Sequence, residues 1–126
     1  MQSNPVGWFE IYVDDMARAR KFYESVLGVE LEKLESPAKI EIDMWCFPSD
    51  MERYGASGAL AHMSHVKAGG NSTLVYFSCE DCALEESRVS SSGGTVEVPK
   101  MAIGEHGFIS VFSDTEGNMI GLHSMK

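Results

Sequence analysis

Residues 8–29 read WFEIYVDDMARARKFYESVLGV, and residues 74–95 repeat the same layout as LVYFSCEDCALEESRVSSSGGT. In each copy an aromatic and β-branched run ends in an acidic pair, which is followed by a helical pattern that reaches a glycine. The acidic pair is Asp14-Asp15 in the first copy and Glu80-Asp81 in the second. Each copy is a supersecondary unit that cannot bury its apolar face alone, so the repeat predicts two modules that fold side by side.

Both helices carry start and stop signals. The acidic residues predict N-caps, and Gly28 and Gly93 predict the left-handed residues that end the helices. The first helix has an apolar stripe at three- and four-residue spacing, which predicts packing against a sheet. Its members are Met16, Ala19, Phe22, Tyr23, Val26 and Leu27. The second helix has few apolar residues, and serines occupy positions where apolar side chains are expected.

Three short strand patterns follow each helix, separated by turn signals rich in glycine, proline and asparagine. They cover residues 29–34, 40–47 and 58–63 in the first half and 95–100, 108–113 and 119–125 in the second. Turns are predicted at Ser36-Pro37, Gly69-Gly70-Asn71 and Glu116-Gly117-Asn118. The sequence therefore predicts an α+β fold, one domain over 1–126 made of two βαβββ modules at about 5–66 and 71–126.

Bulk properties exclude several function classes. A net charge of −9 at 126 residues argues against a nucleic-acid or anionic-membrane surface, which needs a basic stripe. The first residues lack the basic and apolar segments of a secretory signal, and no apolar run reaches membrane-spanning length. Three cysteines, an odd number, argue against a disulfide framework and favour a reducing, cytoplasmic setting.

Two phrases carry a resemblance to a known family. YVDDMARARKFYESVLGVEL in the first half and GGTVEVPKMAIGEHGFISVFSDTEGNMIGLHS in the second resemble the vicinal oxygen chelate superfamily. That superfamily groups glyoxalase I, bleomycin-resistance proteins and extradiol dioxygenases. The resemblance implies curled, incomplete barrels whose concave faces form a cleft. In the metal enzymes of the family, the first and last strands of each module supply His, Gln or Glu ligands to a divalent metal.

The corresponding ligand positions of this chain carry no metal-binding side chains. By the resemblance they fall on Trp8 and Leu74 in the first strands and on Ala59 and Gly121 in the last strands. None of these side chains offers an oxygen or imidazole donor. The sequence therefore predicts a cleft without a bound metal or other cofactor.

Strand alternation indicates which side chains share the face of the lost ligands. Glu10, Tyr76 and His123 each lie two residues from such a position, and Trp8 with Trp45 could form flat walls for a planar or apolar ligand. These five residues form the predicted ligand site. Glu10 and His123 could instead act as an acid–base pair or hold a displaced metal, and all of these polar groups could equally be hydrogen-bonded core residues.

Three further motifs have a purely structural and a functional interpretation. Cys79 and Cys82 form a C-x-x-C that is either an inert reduced pair or a thiol activated by a helix N-terminus, the inert pair being favoured. His62 and His65 are predicted at the surface. The segment 104–107, GEHG, is either a simple turn or a lid over the cleft.

The resemblance and the residues together favour a metal-free small-molecule binding protein. The alternative is a glyoxalase-like lyase or isomerase that uses a displaced metal or Glu10 and His123. Because incomplete barrels leave sheet edges that a two-fold partner can cover, a homodimer is expected.

Overall fold

The structure, a computed structural model, describes residues 4–36 and 40–126, so the predicted turn at Ser36-Pro37 lies partly outside them. Its first half contains β1 (Val6–Tyr12), α1 (Met16–Leu27), β2 (Glu32–Leu34), β3 (Asp43–Cys46) and β4 (Ser57–His62). Its second half contains β5 (Thr73–Ser78), α2 (Cys82–Glu86), β6 (Thr95–Ala102), β7 (Phe108–Ser113) and β8 (Met119–Ser124). The predicted α+β class and the tandem βαβββ order are confirmed.

The chain divides into two compact units whose boundaries do not fall at the linker between the halves. Residues 9–73 form the first unit, and residues 74–126 form the second unit together with the chain up to residue 8. The strand β1 therefore begins in the second unit and ends in the first.

In the first unit β3 pairs antiparallel with both β2 and β4. The end of β1 approaches β4, because the Val13 N–H donates to the Ala61 carbonyl at 2.9 Å. Val13, Leu31 and Leu60 form the buried centre of this unit, against which α1 packs through Met16, Ala19 and Tyr23. The strands of this unit therefore have two faces. The apolar face is covered by α1 and is called the helix side, and the opposite face is called the sheet face.

The helix α1 follows its sequence signals at both ends. The Asp15 side chain accepts from the Arg18 N–H at 3.0 Å, and Gly28 ends the helix with φ of 65°. The predicted stripe is wrong in part, because Phe22, Val26 and Leu27 are more than half exposed. These three residues lie on the flank of α1, and the sheet is covered by the other half of the stripe.

In the second unit β5 pairs parallel with β8, β8 pairs antiparallel with β7, and β7 pairs antiparallel with β6. The start of β1 joins this sheet, since the Ser78 N–H donates to the Pro5 carbonyl at 2.8 Å. The strands form one mixed sheet in the order β2-β3-β4-β1-β5-β8-β7-β6, and this sheet does not close on itself, as expected for incomplete barrels.

The helix α2 is shorter than predicted. It begins at the predicted N-cap, Asp81, but ends at Ser87, and the segment up to Gly93 is a separate 3-10 turn. The Ser87 hydroxyl donates to the Leu84 carbonyl at 2.6 Å, and such local bonding competes with helix continuation. Among the described helices none is both long and apolar enough to cross a lipid bilayer.

Candidate functional site

A buried carboxylate lies on the sheet face of the first unit. Glu10 is only 7% exposed, and the Tyr12 hydroxyl donates to its Oε1 at 2.8 Å. Alternation along β1 places residues 10 and 12 on one face, whereas Ile11 packs with the core beneath α1. A buried carboxylate needs such donors, because it has lost its hydrogen bonds to water. Without replacement donors, its burial would cost on the order of several kcal/mol of folding free energy.

The surroundings of Glu10 favour the protonated forms of the Tyr12 phenol and the Cys46 thiol. Burial, followed by the charge of Glu10 and the hydrogen bond to it, raises the pKa of Tyr12 far above that of an ordinary phenol. Burial and then the charge of Glu10 also raise the pKa of the Cys46 thiol. Tyr12 is therefore a permanent donor to Glu10 at physiological pH.

The last strand of the first unit presents only small side chains to this face. Ala59 and Ala61 are fully buried and pair in register with Cys46 and Met44. By the resemblance, Ala59 falls at a position where the metal enzymes of the family carry a ligand. A methyl group there leaves no donor atom for a cation.

Trp45 lies on the other side of the same sheet. It pairs in register with the core residue Leu60, and the Arg20 guanidinium carbon lies 3.5 Å from its ring centroid. This placement differs from the expected pocket position, because Trp45 is stacked under α1 on the helix side of its sheet. The contact is a cation–π interaction, and its geometry depends on how α1 is rotated.

In the second unit an aromatic ring fills the other last-strand ligand position. Tyr76 and Gly121 are register partners in the parallel β5–β8 pair. A Cβ atom on Gly121 would lie 2.3 Å from Tyr76 Cδ2, so the ring rests directly on the glycine. A carboxylate could not occupy this position unless Tyr76 moved.

His123 lies two residues beyond Gly121 on the same face of β8, with Ser78 as its register partner. Its Nε2 is 2.6 Å from the backbone carbonyl oxygen of His106. A carbonyl oxygen only accepts, so Nε2 carries the hydrogen of this bond.

The segment that supplies this carbonyl is a tight turn. Residues Gly104–His106 form a 3-10 turn closed by a 2.8 Å bond from the Ile103 N–H to the Gly107 carbonyl. Gly107 has φ of 96° and lies so close to β8 that a Cβ would be 2.3 Å from the Ser124 carbonyl oxygen. Of the two interpretations of this segment, the structure has the turn.

The first-strand ligand positions are also apolar. Leu74 is buried, and Trp8 is half-buried in the part of β1 that belongs to the second unit. In that part the Cβ position of Gly7 lies against Ser78 Oγ. The grouping of Trp8, Tyr76 and His123 with Glu10 around one ligand stays a prediction, since Glu10 belongs to the first unit.

The C-x-x-C pair has the properties of inert thiols. All three cysteines are free, and Cys82 is fully buried. Burial, followed by the nearby carboxylate of Glu85, raises the pKa of Cys79 to about 11. A thiol with a raised pKa is a poor nucleophile at neutral pH, because little thiolate is present.

The histidines after β4 divide between two environments. His65 is exposed, as predicted. His62 is half-buried, and its Nδ1 lies 2.8 Å from the Val13 carbonyl oxygen, so the surface prediction for His62 is wrong. Within residues 4–36 and 40–126 no three His, Cys, Asp or Glu side chains are arranged to hold a metal ion.

Sequence reasoning missed two contacts that shape the site. Tyr12 follows Glu10 at the spacing of one strand face, and that spacing could have identified it as the carboxylate partner. An aromatic residue opposite a glycine on a neighbouring strand is a known stabilising arrangement, but the pairing of Tyr76 with Gly121 requires the strand register. No signal in the sequence gives that register.

The family follows from comparison with known proteins. A sequence model described as "Glyoxalase/Bleomycin resistance protein/Dioxygenase superfamily" matches residues 6–122. The chain belongs to this superfamily. The resemblance read from the two phrases of the sequence is therefore confirmed.

One relative of this chain is the anthracycline biosynthesis protein DauV of Streptomyces sp. (strain C5). The two are 28% identical over 103 residues, which cover 73% of this chain and 31% of DauV. The chain thus spans about a third of the length of this relative.

Solved structures share the fold at low sequence identity. Methylmalonyl-CoA epimerase of Streptomyces coelicolor, in complex with 2-nitronate-propionyl-CoA, has a TM-score of 0.65 at 14% identity, covering 96% of each chain. The hypothetical protein BH1468 of Bacillus halodurans C-125 has a TM-score of 0.73 at 11% identity, covering 99% of this chain and 96% of that one. These similarities support the fold alone.

Proposed function

We propose that this superfamily member binds a small planar organic molecule without a metal ion. The observation that supports this most is the Tyr76 ring resting on Gly121, at a position where the metal enzymes carry a ligand. An aromatic ring in place of a carboxylate suits a flat, apolar molecule better than a hydrated cation. Trp8 would supply a second flat surface.

The polar part of the proposed site consists of Glu10, Tyr76 and His123, which would orient the ligand. Glu10 supports this role because it is a buried carboxylate held by Tyr12 on the sheet face away from α1. Ligand sites are mostly apolar with a few fixed polar groups, and this inventory has that composition. The name of DauV suggests polycyclic aromatic compounds as the first ligands to screen.

The two tryptophans of the chain make a sharp test. Trp45→Phe leaves Trp8 as the sole tryptophan, and Trp8→Phe leaves Trp45, which is stacked with Arg20 on the helix side. The screen uses aromatic metabolites and anthracycline-type compounds, and hits are the compounds that raise the melting temperature of the protein. We expect these hits to change the fluorescence emission of Trp8 and to leave the emission of Trp45 unchanged. A response confined to Trp45 would contradict the proposal.

Affinity gives a second readout. Trp8→Ala should weaken binding by about 2 kcal/mol, because truncation removes a large aromatic contact. Trp45→Phe is the matched control and should bind normally.

The metal content of the protein is a separate test. After dialysis against zinc or nickel, we expect elemental analysis to find far less than one metal ion per chain. One metal ion per chain that is lost on mutating Glu10 or His123 would favour a displaced metal site instead.

The alternative function is a lyase or isomerase in which Glu10 and His123 move protons. It is favoured by one observation, the buried Glu10 carboxylate with its fixed phenol donor, because such a carboxylate is suited to accept a proton from carbon. Incubation of methylmalonyl-CoA with the protein in D2O tests it. Deuterium incorporation that is lost in Glu10→Gln would establish catalysis.

We further propose a homodimer in a cytoplasmic setting. The unclosed sheet leaves edges that a partner can cover, and three free cysteines are compatible with a reducing compartment. Light scattering at micromolar concentration should give twice the mass of one chain. A monomeric mass would refute the dimer.

A further inference from the structure

We propose that His123 presents its Nδ1 atom as a hydrogen-bond acceptor, and that the ligand therefore carries a hydroxyl or N–H group at this point. The inference rests on the proposed function for its ligand and deepens it, because it names a chemical group that the ligand must have. Its first step concerns the protein alone.

The tautomer of the imidazole follows from its partner. His123 Nε2 lies 2.6 Å from the His106 carbonyl oxygen, which can only accept, so Nε2 holds the proton. In a neutral imidazole the other nitrogen is then an acceptor. Within the part of the chain that the structure describes, Nδ1 of His123 makes no hydrogen bond.

The partner carbonyl is held in place by backbone geometry. Gly107 adopts a φ of 96° and closes the turn through its bond to Gly104, and a Cβ atom at Gly107 would collide with the Ser124 carbonyl at the end of β8. The bond to His123 uses the backbone of His106 and not its side chain. The tautomer of His123 should therefore depend on Gly107 and should not depend on the imidazole of His106.

The surroundings indicate what kind of molecule would supply the donor. His123 shares the face of β8 with Gly121, on which the Tyr76 ring rests. A half-buried acceptor next to an aromatic surface suits a hydroxylated aromatic compound, because an ether or ketone at the same point would place two acceptors together. The expected ligand class is thus a phenol or an aromatic N–H compound.

Nitrogen-15 NMR of histidine-labelled protein tests the first step at about pH 8.5, where an ordinary imidazole is neutral. The His123 signals, assigned by their loss in His123→Gln, should show a protonated Nε2 and an unprotonated Nδ1. His106→Ala should leave them unchanged, whereas Gly107→Ala should populate both tautomers. A protonated Nδ1 in the wild type, or a change in His106→Ala equal to that in Gly107→Ala, would overturn the inference.

Binding of 2-naphthol and 2-methoxynaphthalene tests the second step. We expect 2-naphthol to bind about fivefold more tightly, which is the size of one net hydrogen bond, and the difference to vanish in His123→Phe. Equal affinities for the two probes would overturn the inference while leaving the proposed function intact. Binding of neither probe, with Trp8 emission unchanged by the whole aromatic screen, would overturn both.

Discussion

At the scale of single residues, the pair formed by Glu10 and Tyr12 is the best-defined polar element of the molecule. Tyr12→Phe removes the donor and leaves Oε1 of a buried carboxylate without it. We expect the free energy of unfolding to fall by about 1–2 kcal/mol, measured by urea denaturation at neutral pH. Tyr54→Phe is the control, because Tyr54 is 98% exposed, and an equal loss in both variants would contradict the role of Tyr12.

The same pair predicts an alkaline limit to stability. The pKa of Tyr12 is raised in the folded protein, so the folded state retains a proton that the unfolded state releases above its ordinary value of about 10. The unfolded state then binds fewer protons, and stability falls as pH rises. The contribution is fully present below about pH 10, and Tyr12→Phe should flatten the decline above it.

Urea midpoints at neutral pH and above pH 10 measure this effect. A decline of the same steepness in wild type and Tyr12→Phe would show that Tyr12 does not cause it. Other tyrosines and the cysteines also titrate in this range, so the difference between the two proteins is the quantity to compare.

For Glu10, prediction at the residue scale needed only the two-residue period of a strand. Glu10 was predicted to share the strand face of Trp8, and the contact of Glu10 with Tyr12 obeys the same period. Trp45 was misjudged, because whether it faced the pocket or α1 depends on packing between elements. The contact of Arg20 with Trp45 joins a helix to a strand 25 positions later, and no local pattern encodes it.

At the scale of elements, the contact between β5 and β8 predicts that replacing Gly121 destabilises the fold. Gly121→Ala would force a methyl group into the Tyr76 ring, and overpacking of this kind costs about 1–3 kcal/mol. The double variant Gly121→Ala with Tyr76→Leu should unfold with a smaller loss than the two single losses added together. Additive losses in urea denaturation would mean that the two residues do not compete for one space.

Element prediction depended on whether the signals were local. The caps Asp15 and Gly28 were correctly predicted, because an N-cap and a left-handed glycine act within one turn. The length of α2 was not, because the serine-rich segment offers the backbone alternative hydrogen bonds. The exposed half of the α1 stripe shows that periodicity identifies a face but not what covers it.

At the scale of the whole molecule, the division of β1 between two units predicts one cooperative unfolding transition. Pro5 bonds to Ser78 in the second unit, and Tyr12 bonds to Ser72 in the first, so loss of β1 removes hydrogen bonds from both. The single-tryptophan variants report on each unit, since Trp8 lies in the second and Trp45 in the first. Their urea transitions should coincide, and separate midpoints would show two independent folding units.

The repeat predicted the number and order of the modules but not where the compact units divide. Pattern matching assigned β1 to the first module, since it precedes α1 in the chain. The Pro5 carbonyl, just before β1, accepts from the Ser78 N–H at the end of β5, and such pairing between distant segments leaves no trace in a single sequence. The module boundaries at about 5–66 and 71–126 therefore stay a prediction.

The shared strand also sets the order of events during synthesis. A chain emerging from the ribosome exposes residues 4–8 early, but the bond from Ser78 to Pro5 cannot form until more than seventy further residues have been added. Residues 9–73, in contrast, contain all of their own unit once translation has passed Thr73. Residues 4–8, Trp8 among them, can therefore reach their place beside β5 only after Ser78 has been translated.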